Sequence, residues 1–183
     1  MKRVLLGVLA LGMSSLAGVA NLQSQSARFG VGGGATVPIG DYKNLDKAGW
    51  HALGMVLVEL PLSPVAIRVD GMYGQTTHKR PLLGKTKLGG GTANAVLRLG
   101  PPAPLVKPYL VAGVGFYNVK IEFTGAGPSS SSESKFAFGG GVGISFGLAA
   151  AHGFVEARFL SVQTSGSATN FIPITAGVTF GAK

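Results

Sequence analysis

Hydrophobic and polar positions alternate with a period of two through most of the chain, the spacing of β-strands and not of helices. Between Phe136 and Phe146, the residues Phe136, Phe138, Val142, Ile144 and Phe146 share one face, and Ala137, Gly139, Gly141, Gly143 and Ser145 share the other. One face is bulky and apolar, and the other is nearly bare backbone. In Ala27 to Val37, Phe29, Val31, Ala35 and Val37 oppose Arg28 and a run of glycines. In Val65 to Tyr73 the apolar face opposes Arg68 and Asp70, and in Thr92 to Leu99 it opposes Thr92, Asn94 and Arg98. In Phe154 to Ser161 it opposes Glu156 and Arg158, and in Ile172 to Phe180 it opposes Thr175, Gly177 and Thr179. Tyr109 to Ile121 reads as Tyr109, Val111, Tyr117, Val119 and Ile121 against Asn118 and Lys120. His51 to Leu60 alternates less cleanly: Glu59 marks its polar face, but Leu53, Met55 and Leu57 share that face. The pattern predicts eight strands, each about the 9–11 residues that a tilted strand needs to cross a bilayer.

The connections also alternate. Pro61 to Pro64, Gly100 to Pro104 and Leu148 to Ala151 read as short turns; Gly40 to Gly49, Gln75 to Gly89 and Phe123 to Ser134 read as long polar loops, and Thr164 to Thr169 as an intermediate one. Short turns at one end and longer loops at the other suit a membrane barrel. With an even number of strands, both termini are then expected in the periplasm.

Composition narrows the choice. Charged residues make up 13% of the 183, against about 25% in a soluble domain, and there are 30 Gly and no Cys. Past residue 20 no apolar run is long enough for a spanning helix. Lys2 and Arg3 followed by the apolar stretch to Val19 and the small residues Gly18-Val19-Ala20 have the layout of a secretory signal peptide. Residues 1–20 are expected to be that leader, with cleavage between 20 and 26, and residues 21–183 to be the barrel. Losing Lys2 and Arg3 lowers the net charge from +9 to +7.

A closed barrel satisfies every backbone N–H and C=O inside hydrocarbon. The apolar faces then meet lipid, and Arg28, Glu59, Arg68, Asp70, Arg98, Asn118, Lys120, Glu156 and Arg158 point into the lumen. The small residues of that face leave too little bulk for an apolar core. Glu59 and Arg68 are expected as diagonal neighbours. The acids Glu59, Asp70 and Glu156 and the bases Arg28, Arg68, Arg98 and Arg158 are expected to form a network that plugs the lumen, because an eight-stranded barrel is narrow enough for side chains to fill. Trp50, Tyr42, Tyr73, Tyr109, Tyr117 and Phe180 are expected in the interfacial aromatic girdles.

Phe29-Gly30-Val31-Gly32-Gly33-Gly34, Pro108 to Gly115, Phe138 to Gly143 and the closing Val178-Thr179-Phe180 resemble the OmpA/OmpX-like outer-membrane β-barrel domains, opacity-type surface proteins among them. The resemblance implies an eight-stranded up-and-down barrel in the outer membrane of a Gram-negative cell. It also implies that Phe180 is the aromatic residue read by the barrel assembly machinery, although Gly181, Ala182 and Lys183 follow it here.

Other chemistry finds little support. The Gly-rich stretches precede no helical pattern, so they are not phosphate cradles. His51, His78 and His152 lack ligand spacing. No cofactor, metal site or catalytic group is expected, and no nucleic-acid partner for an exported monomer, despite the basic charge. His78, Lys79, Arg80, Lys85 and Lys87 form the densest basic patch, read as a loop that attracts lipopolysaccharide phosphate or anionic sugar, or as a plainly solvated loop. Three roles stay open: a structural or surface-interaction barrel contacting lipid, host or matrix; a narrow channel; and a lipid-modifying enzyme. The sequence favours the first.

Overall fold

The computed structural model describes residues 26–40, 42–79, 84–100, 106–123, 130–148, 151–164 and 167–181. The expected leader lies outside them. The strands are β1 (Ala27–Ile39), β2 (Gly49–Glu59), β3 (Val65–Thr77), β4 (Gly84–Arg98), β5 (Val106–Phe123), β6 (Ser130–Leu148), β7 (Ala151–Thr164) and β8 (Ser167–Phe180), with one helical turn, α1 (Tyr42–Leu45), between β1 and β2. Each strand pairs antiparallel with the next, and β8 pairs with β1, so the sheet closes into an eight-stranded barrel with no free edge.

The register fixes the shape. Following partners from Phe29 through Val56, Val69, Ala93, Val114, Phe138, Ser161 and Asn170 returns to β1 at Ile39, a stagger of ten residues per circuit. With that stagger over eight strands the tilt is about 40°, and each residue advances roughly 2.5 Å along the axis. On that scale the outward apolar side chains, from Phe29 and Phe180 at one rim to Trp50, Tyr73, Phe116 and Phe136 at the other, cover about 25 Å, the height of the lipid-facing band of a membrane barrel. Phe29 and Phe116 are 58% and 65% exposed. A water-soluble monomer does not leave a continuous belt of this size open. No helix among the described residues is long and apolar enough to cross a membrane, which says nothing of a barrel.

Four expectations change. In β5 the parity is reversed: Tyr109, Val111, Tyr117 and Val119 are buried in the lumen, and Leu110, Val114 and Phe116 face outward. Asn118 and Lys120 therefore point outward, above the apolar belt, where the surroundings are no longer hydrocarbon. Tyr109 and Tyr117 consequently belong to no girdle. Trp50 and Tyr73 do stand at the outer rim, with ring centroids 5.9 Å apart, and the side chain of Tyr42 lies outside the described set. The loops at the far end are shorter than expected, because β5 (18 residues) and β6 (19 residues) continue well past the belt. Finally, the lumen does hold an apolar core. Met72, Leu88, Tyr117, Val119, Leu160, Val162 and Phe171 pack together in its far half, with Tyr117 and Phe171 edge to face at 6.3 Å.

Glycine makes room for that filling. A Cβ at Gly143 would lie 2.5 Å from the Tyr109 hydroxyl oxygen, and one at Gly90 would lie 2.6 Å from Tyr117 Cγ. The bare backbone of one strand is thus the seat of a large side chain from its neighbour.

Candidate functional site in the barrel lumen

Four ionised side chains meet in mid-lumen, and parity places them there. Arg68 and Asp70 are two apart on β3, and Glu156 and Arg158 two apart on β7, so each pair faces inward. β3 and β7 lie on opposite sides of the eight-stranded ring. Arg68 Nη1 and Nη2 donate to Glu156 Oε2 and Oε1 at 2.7 and 2.9 Å, a two-pronged pair across the lumen. Arg158 Nη1 donates to Asp70 Oδ2 at 2.8 Å. Along each strand, Arg68 Nε lies 2.9 Å from Asp70 Oδ1 and Arg158 Nε lies 2.9 Å from Glu156 Oε1. The four groups form a closed ring of alternating sign with zero net charge. Their side chains are between 0% and 3% exposed.

Neighbouring strands add two hydrogen bonds to the ring's carboxylates. The Tyr109 hydroxyl donates to Glu156 Oε2 at 2.9 Å from β5, and Asn94 Nδ2 donates to Asp70 Oδ2 at 3.0 Å from β4. Ionic groups removed from water are tolerated when paired and hydrogen-bonded in this way.

The remaining three expected members form a separate cluster at the end of the barrel that carries the chain termini. Glu59 Oε1 lies 2.7 Å from Arg98 Nη2 and 3.3 Å from Arg28 Nη2. Glu59 is opposite Ala66 and therefore diagonal to Arg68, but its ion pairs go to Arg28 and Arg98 while Arg68 turns to Asp70 and Glu156. The seven residues thus divide into a buried ring and a half-buried rim.

Two polar clusters escape a reading by sequence spacing. His51 is buried, with Nδ1 3.0 Å from Thr36 Oγ1 and Nε2 2.8 Å from Thr175 Oγ1, linking β2 to β1 and β8. Its signal was parity: His51 shares the inward face with Leu53 and Met55. At the far mouth, Thr76 Oγ1 donates to Asp46, and His78 Nε2 lies 3.0 Å from Thr86 Oγ1 and 3.5 Å from Asp46 Oδ1. These contacts tie the segment after α1 to β3 and β4. Among the described residues no three His, Asp or Glu side chains converge as metal ligands would.

The expected basic loop is not one patch. His78 turns inward, Lys79 Nζ donates to the Lys43 carbonyl at 2.6 Å, and Arg80 lies outside the described residues. Lys85 and Lys87 belong to β4 and point outward. Lys87 Nζ donates to Glu122 Oε1 at 2.9 Å, and Lys120 Nζ lies 3.1 Å from the same oxygen. Hydrogen bonds from Lys87 and then Lys120 hold the Glu122 carboxyl below the ordinary carboxylate range. Phe180 is exposed at the terminal rim, opposite Phe29.

Comparison with known structures places this geometry. The chain is similar to Neisserial surface protein A, at 16% identity and a TM-score of 0.67, covering 87% of this chain and all of that one. It is also similar to a major outer membrane protein of Thermus thermophilus, at 10% identity and a TM-score of 0.59, with 87% and 100% covered. No curated relative matches in sequence. Likenesses at such low identity speak for the fold alone. Residues 4–181 match the sequence profile of the family described as "Outer membrane protein beta-barrel domain". With its closed eight-stranded barrel, lipid-height apolar belt and neutral buried ring, the chain belongs to that family of outer-membrane barrels.

Proposed function

We propose that this protein is a structural and surface-interaction barrel whose lumen passes no solute stream. The observation that carries the reading is the ring Arg68–Asp70–Arg158–Glu156, which spans the lumen and is capped on its far side by the apolar packing around Tyr117 and Phe171. Transport of water or ions through both layers requires breaking buried ion pairs and parting packed aromatic rings. Export through a leader at residues 1–20 and insertion with both termini in the periplasm complete the reading, with Phe180 as the residue presented to the assembly machinery. The far end then faces outside the cell. There Lys79, Lys85, Lys87 and Lys120 offer positive charge to lipopolysaccharide phosphate, or to a host or matrix polyanion.

Planar-bilayer recording tests the closed lumen. A flat baseline is expected, and steady conductance steps of porin size would replace this reading with that of a channel. Orientation is tested separately by an epitope inserted at 124–129. Antibody should reach it on intact cells, and a signal seen only after the outer membrane is opened would reverse the topology.

A further inference from the structure

Between the buried ring and the terminal end the lumen is not filled. A cavity of about 330 Å³ opens between the turns there, bordered by Pro64 and Gly100, and runs inward to Arg68 and Tyr109. Its walls are apolar and come from Met55, Leu57, Val96 and Phe154. Its mouth is cationic, for Arg28, Arg98 and Lys107 line it together with one carboxylate, Glu59. That carboxylate offers a single oxygen to both guanidinium groups, at 2.7 Å to Arg98 and 3.3 Å to Arg28. The Arg28 Nε–H is buried and finds no acceptor among the described residues. Arg68 contributes no free charge, because Glu156 and Asp70 neutralise it.

Among the described residues, three cations therefore share one anion in a half-buried pocket, where charges are screened less than in open water. A buried donor lacking an acceptor is costly, and it calls for a ligand or ion to satisfy it. Apolar walls with a few convergent polar groups are the common form of a small-molecule site. At about 30 Å³ for each water-sized group, the volume admits on the order of ten non-hydrogen atoms.

We propose that this cavity is a binding site for a medium-chain carboxylate. The carboxylate is held by Arg28, Arg98 and Lys107 at the mouth, and the hydrocarbon chain lies inward against Met55, Leu57, Val96 and Phe154. In the orientation proposed above the site opens to the periplasm. An alkylammonium of the same length is repelled at the mouth, and an uncharged alcohol gains only the apolar contacts.

Met55 and Met72 are the two methionines among the described residues, one on the cavity wall and the other in the far apolar cluster. Carbon-13 methionine-methyl NMR of the barrel in lipid nanodiscs therefore carries its own reference. Octanoate should shift the Met55 methyl saturably and leave Met72 in place. Octanol should bind at least about tenfold more weakly, as expected when a charge-assisted contact is lost, and octyltrimethylammonium should not saturate the site. Lys107→Gln, which leaves the Glu59 ion pairs intact, should weaken octanoate about tenfold. Arg28→Gln should weaken it further, with an unmoved Met72 methyl showing that the variant is folded. The proposal is overturned if Met55 does not shift, if Met72 moves with it, if octanol saturates at the same concentration, or if Lys107→Gln binds octanoate as the parent does.

Discussion

Replacing Glu156 with Gln perturbs the lumen at its most connected point. The Glu156 side chain is 1% exposed. It accepts from Arg68 at 2.7 and 2.9 Å and from Tyr109 at 2.9 Å, and it sits 2.9 Å from Arg158 Nε. Glutamine keeps the shape but loses the charge, and its amide turns a donor toward guanidinium nitrogens that are themselves donors. The ring is then left with two guanidinium groups and one carboxylate. An uncompensated buried charge of this kind costs about 3–5 kcal/mol. Pairing Glu156→Gln with Arg68→Gln restores neutrality through Asp70 and Arg158, so the double variant should recover about 2–3 kcal/mol of that loss, within the range of coupling energies for contacting residues. Urea unfolding in lipid vesicles measures both, followed by the fluorescence of Trp50, the one Trp of the chain. A single substitution costing less than about 0.5 kcal/mol, the range of an ordinary surface change, would refute the reasoning. Strict additivity of the two substitutions would refute it as well.

Other outcomes follow from particular contacts. Val114→Arg places a cation on the lipid face and should cost about 2–4 kcal/mol in the same unfolding assay, whereas Lys120→Arg above the belt should leave stability unchanged. Gly143→Ala brings a Cβ to 2.8 Å from Tyr109 Cε2; it should push the ring off Glu156, cost about 1–3 kcal/mol, and lower the temperature at which gel migration changes. Leu62, fully exposed in the turn between β2 and β3, has a φ of 58°. Leu62→Asn should therefore stabilise by about 1 kcal/mol, because Asn tolerates that left-handed conformation, with a raised urea midpoint as the check.

The barrel was legible in the sequence because most strands contrast a bulky face with a small or charged one. β1, β3, β4, β6, β7 and β8 each carry that contrast, and their parity in the structure is the one the pattern predicts. β5 carries bulky residues on both faces, so Asn118 and Lys120 seemed to decide it, by analogy with the inward charges elsewhere. They misled because an 18-residue strand outruns the bilayer, and beyond the belt an outward polar residue meets headgroups and water. Gly113 and Gly115 share parity with Tyr109, Val111 and Tyr117, as the inward Gly139, Gly141 and Gly143 do with Ala137 on β6, but outward Gly54, Gly71 and Gly91 dilute that signal. The division of the seven charges into ring and rim was not legible, since periodicity gives a side but not a partner. Arg68 chooses Glu156 from β7, a residue 88 positions away, only because the closed ring brings opposite strands within reach. The apolar lumen core was missed for a related reason. Leu88, Val162 and Phe171 lie where the strands continue beyond the expected boundaries, Leu88 in a stretch read as loop and the other two just outside the expected strand ends.

Site-directed spin labelling along β5 tests most directly which face of the barrel meets acyl chains, and the absence of native Cys makes single labels straightforward. Oxygen, which concentrates in hydrocarbon, should collide readily with labels at Leu110, Ala112, Val114 and Phe116. Labels at Val111 and Tyr117 should be shielded both from oxygen and from a water-soluble nickel complex, and a label at Tyr109, which lines the cavity, should be shielded from oxygen. The opposite phase, with oxygen reaching Tyr109, Val111 and Tyr117 while the other four are shielded, would contradict the placement of lipid outside and charge within.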